Sequence, residues 1–148
     1  RIIGEACHVF DLFQYLVSPA SVAEVTFTEI GSQVEHVLPT DNVVATVRYD
    51  DGSVATLLYT ALGATDLPKE YVEIYSGGKV LVIDDYQALQ VHGTSVKGWS
   101  SRLQDKGHLQ ELRMFSEYVQ QDVEASIPPL CFVETTEVSL RIAERINH

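Results

Sequence analysis

Val43-Val44-Ala45-Thr46-Val47-Arg48-Tyr49-Asp50-Asp51-Gly52-Ser53-Val54-Ala55-Thr56-Leu57-Leu58-Tyr59-Thr60 is the stretch on which the fold turns. Its two arms are rich in β-branched and aromatic residues, which suit a pleated, half-buried surface. Between them Asp50-Asp51-Gly52-Ser53 is a strong turn sequence. The spacing predicts an antiparallel hairpin. Both arms carry apolar residues on the two sides of the strand, so one side is expected to pack on helices. An uncovered apolar sheet side marks an association surface.

Working outward, Glu70 to Tyr75 alternates polar and apolar residues, Ser76-Gly77-Gly78-Lys79 turns the chain, and Val80 to Ile83 returns as a second hairpin. Asp84-Asp85 interrupts, and Tyr86 to Val91 is expected to be a short strand. His92 to Leu103 is rich in Gly and Ser, carries the single Trp99, and reads as a surface loop. Upstream, Val22 to Ile30, with apolar residues alternating from Val25 onward, predicts a strand, followed by a loop containing Glu35, His36 and Pro39. Residues 5–17 read as a helix with Val9, Leu12, Phe13 and Leu16 toward a core, stopped by Ser18-Pro19. Downstream, Gln104 to His108 opens a helix that continues through Leu109, Leu112, Phe115, Tyr118 and Val119. Ile127-Pro128-Pro129 breaks it, and a last helix from about Glu134 to Ile146 places Val138, Ile142 and Ile146 on an apolar side, flanked by Leu140. Helix, about six strands and two helices predict an α+β fold. It is expected to be a large open, mainly antiparallel sheet, with helices on one face and the other face available for oligomerisation.

The 148 residues are enough for one domain with a genuine core, and 1–148 is expected to be a single domain. A net charge of −11 argues against nucleic acid and against anionic membrane surfaces. No apolar run approaches the roughly 20 residues needed to cross a bilayer. Two cysteines, Cys7 and Cys131, are too few for a disulfide framework and too scattered for a zinc site, as expected of a cytoplasmic protein. Cys7 adjoins His8, but neighbours on a helix point about 100° apart and pair poorly as nucleophile and base. The start, Arg1-Ile2-Ile3, reads as a cut inside a longer protein.

Chemistry concentrates in Gly4-Glu5-Ala6-Cys7-His8-Val9-Phe10-Asp11. Glu5, His8 and Asp11 recur at intervals of three, so a helix would show them on one side. His8 is a candidate proton-handling group, and equally a helix-start histidine bonded to backbone. Asp11 could orient His8 or bind a hydroxyl, and equally could favour the helix dipole, as could Glu5. Lys106 and His108 open a long helix, where backbone N–H groups and positive charge suit an anion; the other reading is an exposed helix start capped by Asp105. Tyr49, Tyr59, Tyr71 and Tyr75 on strands read as core or interface. His36, His92 and His148 form no cluster, and no metal site is expected. No Gly-x-Gly-x-x-Gly, no phosphate-binding Gly-x-x-x-x-Gly-Lys-Ser/Thr, no Gly-x-Ser-x-Gly and no His-Glu-x-x-His occurs.

Five segments, in order, resemble one family: Gly4 to Asp11; Asp41-Asn42 through Asp51-Gly52-Ser53-Val54-Ala55-Thr56; Pro68-Lys69-Glu70-Tyr71-Val72-Glu73-Ile74-Tyr75-Ser76-Gly77-Gly78; Asp84-Asp85-Tyr86; and Gln104-Asp105-Lys106-Gly107-His108-Leu109-Gln110-Glu111-Leu112. Together they are similar to the C-terminal domain of the glucose–fructose oxidoreductase and inositol dehydrogenase family (Gfo/Idh/MocA), and the resemblance spans nearly the whole chain. It implies an NAD(P)-dependent oxidoreductase acting on a hydroxyl of a sugar or polyol derivative. NAD or NADP would be bound by an N-terminal Rossmann domain that this chain does not contain. That domain would also supply a catalytic Lys from a Glu-Lys-Pro motif. No cofactor is then expected on this chain, and the isolated chain is expected to be inactive. The resemblance makes His8 the catalytic residue, with Glu5, Asp11, Lys106 and His108 as candidate substrate contacts. Partners would be a small-molecule substrate, the Rossmann domain, and further copies of the chain through the sheet. Many members carry Asp four residues before the His; here that position is Gly4, and Glu5 is the nearest carboxylate. The competing reading is a non-catalytic dimerisation or ligand-binding domain.

Overall fold

The structure, a computed structural model, describes residues 2–31, 34, 37–38, 41–121 and 129–146. Glu35, His36, Pro39, Ile127, Pro128 and His148 lie outside the described residues. The chain divides into two compact units, Arg1–Gly63 with Ala125–His148, and Ala64–Glu124.

The first unit opens with a π-helical turn, Ile2–Ala6, running directly into α1, Cys7–Val17. The Ser18 N–H still reaches the Gln14 carbonyl at 3.0 Å, and the cis Ser18–Pro19 peptide follows. Three antiparallel strands come next in spatial order β1-β2-β3: β1 Val22–Glu29, β2 Val43–Tyr49 and β3 Val54–Tyr59. The expected β2–β3 hairpin forms, with Val43 opposite Tyr59 and Arg48 opposite Val54. Gly52 closes its turn at φ +88°, a left-handed conformation costly for any residue with a Cβ.

Strand periodicity sorts this sheet into two faces. Val43, Ala45, Val47 and Tyr49 of β2 and Leu57 of β3 point into the core, where they meet Phe10 and Phe13 of α1 and Val138 and Ile142 of the third helix. That helix, α3 by chain order, spans Pro129–Ile146 and packs against α1, the π-helical turn and β1. It starts earlier than Glu134, with Pro129 as its first residue, where a missing N–H costs nothing. Helices thus cover one face of this sheet. The other face exposes Val54 and Leu58 beside an Arg48–Glu24 ion pair of 3.1 Å.

The buried side of α1 is turned part-way round from the expected one. Ile2, Ala6, Phe10 and Phe13 form the stripe, with Val9 and Val17 at its margin and Leu16 exposed. The π-helical turn already commits Ile2 and Ala6 to the core, and the helix continues that stripe. Gln14 is buried beside it and donates from Nε2 to the Ala20 carbonyl at 2.8 Å.

The second unit holds four antiparallel strands in the order β4-β5-β6-β7: Tyr71–Ser76, Lys79–Asp84, Ala88–His92 and Trp99–Ser100. The antiparallel strands of the described chain therefore form two open sheets, one in each unit, within the expected α+β class. Tyr86 sits not in β6 but in the turn before it, where Asp85 and Tyr86 both adopt positive φ, +48° and +52°, and the Gln87 N–H reaches the Asp84 carbonyl at 2.9 Å. The expected surface loop contains the short strand β7. Gly98 just before it lies so close to the Leu89 carbonyl that any Cβ would collide. Helix α2, His108–Gln121, has the expected period, yet Leu109, Leu112, Phe115, Tyr118 and Val119 remain largely exposed. Among the described residues, no helix is long and apolar enough to cross a membrane.

Candidate functional site

The π-helical turn and the first two turns of α1 carry Glu5, His8 and Asp11 on the side away from the core. Glu5 and His8 are exposed and Asp11 is half-buried. The opposite side, Ala6 and Phe10, is almost fully buried, so the solvent-facing groups stand on a well-packed base. The Tyr59 hydroxyl, at the end of β3, donates to Glu5 Oε2 at 2.6 Å. A neutral phenol meeting a carboxylate at this distance is a charge-assisted bond, stronger than a neutral pair. Among the described residues, no hydrogen bond or ion pair engages the His8 ring or the Asp11 carboxylate. The imidazole can therefore exchange a proton with a ligand without first breaking a described protein contact. Cys7 is half-buried beside it and Cys131 is buried in α3; neither is in a disulfide.

The chain just after Tyr59 is tied by Asn42, which is fully buried immediately before β2. Asn42 Oδ1 accepts from the Thr60 hydroxyl at 2.8 Å and the Ala61 N–H at 2.9 Å, and Asn42 Nδ2 donates to the Leu38 carbonyl at 3.0 Å. One side chain thus satisfies two groups where β3 ends and one carbonyl ahead of β2. Sequence reasoning names Asn42 only within a segment of the family resemblance and reads Tyr59 as core or interface. Their partners are 18 and 54 residues away, and nothing local in the sequence announces either pairing.

In the second unit, Lys106 Nζ pairs with Glu70 Oε1 at 2.9 Å and sits 5.6 Å from the centre of the Tyr86 ring. The hydrogen bond to Glu70 raises the Lys106 pKa, with a smaller opposing effect from burial. Glu70 Oε2 is shielded from solvent without a hydrogen-bond partner. An anion approaching Lys106 would thus compete with a resident carboxylate. Asp105 Oδ1 accepts from the Gly107 N–H at 2.9 Å, fixing the approach to α2, and His108 is the exposed first residue of that helix. Beside this cluster, Pro68, Asp84, Asp85, Gln87, Ala88, Ser100 and Ser101 line an open recess of about 240 Å³.

The strand tyrosines separate. Tyr49 lies in the core, where burial, followed by the Glu134 carboxylate, pushes its pKa up to about 12. Tyr71 and Tyr75 are exposed on β4, and both donate to the Glu73 carboxylate between them, at 3.1 and 3.0 Å. Among the described residues, the paired glycines do not build a dinucleotide cradle. Gly77 and Gly78 occupy the β4–β5 turn, with a strand rather than a helix after them, so no helix N-terminus faces a phosphate there. Among the described residues, no three His, Cys, Asp or Glu side chains converge on a metal position.

No protein-family model matches the sequence. A search of curated proteins likewise finds no match. Solved structures do match. UDP-N-acetylglucosamine 3-dehydrogenase GnnA from Acidithiobacillus ferrooxidans is 16% identical with a TM-score of 0.73, over 97% of this chain and 46% of its own. The WlbA dehydrogenase from Bordetella pertussis, solved with NADH and UDP-GlcNAcA, is 15% identical with a TM-score of 0.51, over 96% and 43%. An inositol dehydrogenase homologue from Azotobacter vinelandii, solved with NADH and myo-inositol, is 15% identical with a TM-score of 0.50, over 99% and 40%. The chain spans less than half the length of each. These neighbours are Gfo/Idh/MocA-type oxidoreductases, and the chain has the fold that nearly half of such a dehydrogenase subunit adopts.

Proposed function

We propose that this chain is the C-terminal, substrate-side domain of an NAD(P)-dependent oxidoreductase that acts on a hydroxyl of a sugar or polyol derivative. The observation that carries the reading is the fold shared with dehydrogenases whose solved complexes hold NADH with a nucleotide sugar or with inositol. The exposed His8 ring, on a helical turn backed by Ala6 and Phe10, agrees with it. NAD or NADP would be held by an N-terminal Rossmann domain and would supply the redox chemistry. The residues of this chain handle the hydroxyl and its proton.

His8 receives the hydroxyl proton as the carbon is oxidised, and returns it in the reverse direction. Asp11, one turn further along α1, orients the ring or accepts a hydrogen bond from a neighbouring hydroxyl. Lys106 and His108 contact a charged part of the substrate, with Lys106 drawn from Glu70 when that part is anionic. Both units belong to this one domain, and copies associate through the face that carries Val54 and Leu58.

The test is an assay of the full-length protein for reduction of NAD and of NADP, offered UDP-N-acetylglucosamine, its uronic acid and myo-inositol in turn. Turnover with a sugar nucleotide or a polyol is the expected result. A full-length protein with no dinucleotide-binding unit upstream of Arg1, or no turnover on any hydroxylated substrate despite cofactor binding, would sink the proposal.

A further inference from the structure

The turn that carries His8 is not held by α1 alone. Its backbone is π-helical from Ile2 to Ala6, a wider and rarer winding that recurs at functional positions. Two contacts from outside the turn hold it in place. Ile2 and Ala6 are buried in the core, which fixes one side of the turn. On the other side the Tyr59 hydroxyl grips Glu5 Oε2 at 2.6 Å. Tyr59 is itself fixed, because its ring packs at the edge of the core and because Asn42 ties the strand end right after it through Thr60 and Ala61. A continuous set of bonds therefore runs from the buried Asn42, through the end of β3 and the Tyr59 phenol, to Glu5, three residues before His8.

We infer that Tyr59 is a positioning residue for His8: its phenol, anchored by the Asn42 network, holds the Glu5 carboxylate and so fixes the helical turn from which the imidazole projects. This inference rests on the catalytic reading of His8. It gives Glu5 a role in holding the turn. A carboxylate already engaged at 2.6 Å by the sheet is poorly free to shuttle protons, so Glu5 does not stand in for an aspartate relay. Geometry of this kind matters for turnover more than for binding, because a misplacement of the order of 1 Å at a reacting group can cost about 100-fold in rate.

The experiment uses the full-length protein and five variants. Tyr59→Phe removes only the phenol oxygen and keeps the ring in its packing. It is expected to lower kcat roughly 10-fold while KM changes less than about twofold, a split that a general loss of folded protein would not produce. Glu5→Ala is expected to match it. Glu5→Gln, whose amide oxygen still accepts the phenol proton, keeps most of the turnover that Glu5→Ala loses. Tyr59→Phe with Glu5→Ala together should be no worse than either alone, because both remove one contact. Unchanged kcat in Tyr59→Phe, or losses that multiply in the double variant, would overturn the inference. Hydrogen exchange supplies a readout independent of catalysis: amides of Ala6 to Phe10 should exchange faster in Tyr59→Phe and Glu5→Ala than in Glu5→Gln. If His8→Ala retains full turnover, the catalytic reading fails. The exchange data then still decide whether Tyr59 holds the turn, and equal exchange in all variants would show that it does not.

Discussion

The two sheets are built from similar residues and end in different states of burial. In the first unit, α1 and α3 lie over β1, β2 and β3, and Val43, Ala45, Val47 and Tyr49 are nearly or wholly withdrawn from solvent. In the second, Val82 is the one buried side chain among the described residues, and the apolar stripe of α2 stays exposed. Alternation makes a strand in both cases, but only a helix-covered face makes a core. The difference locates the rigid platform. His8 stands directly on the first unit's core, whereas Lys106 and His108 belong to a unit held by ladder hydrogen bonds, tight turns and an exposed ion pair.

This contrast can be broken by truncating one buried residue on each side of it. Phe10→Ala removes a ring that meets Phe13 edge-on at a centroid distance of 6.2 Å, and is expected to cost about 4 kcal/mol in urea unfolding. Val82→Ala in β5 should cost about 1 kcal/mol. Equal costs would mean that the two units share their stability evenly.

Alkaline titration sharpens the comparison at a single group. Burial and then the Glu134 carboxylate raise Tyr49 to about 12, from 10.0 in the unfolded chain. The folded state therefore favours the neutral phenol. Its contribution is complete below pH 10 and disappears as pH rises through 12, a loss on the order of 2 kcal/mol. Urea midpoints measured across that window should fall in the parent and fall less in Tyr49→Phe. Parallel curves would show that Tyr49 ionises as freely folded as unfolded.

The smallest effect is expected in the second unit. Lys106→Ala breaks the 2.9 Å pair with Glu70, but the lysine is more than a third exposed, so stability should change by less than about 1 kcal/mol, and less still in high salt. A loss approaching that of Phe10→Ala would make the ion pair, rather than the ladders, the organising contact of that unit.

Most of the architecture was legible in the sequence because hairpins announce themselves locally. Asp50-Asp51-Gly52-Ser53 and Ser76-Gly77-Gly78-Lys79 gave both turns and hence both antiparallel pairings. Helix phase was less legible. The choice between Val9-Leu12-Phe13-Leu16 and Ala6-Phe10-Phe13 depends on the π-helical turn before α1, which no residue pattern signals. Tyr86 was misplaced in a strand because a bulky residue at positive φ defies local preference. At the site, the outward side of Glu5, His8 and Asp11 followed from spacing alone, whereas the grip of Tyr59 on Glu5 is a contact across 54 residues that only the folded chain creates.

The most direct measurement is kcat for His8→Ala in the full-length protein, taken together with its unfolding midpoint. Because the ring is exposed and without a described partner, the midpoint should stay at the parent value while kcat falls roughly 100-fold or more. Turnover equal to the parent's, or a loss matched by an equal loss of folded protein, would contradict a proton-handling role for His8.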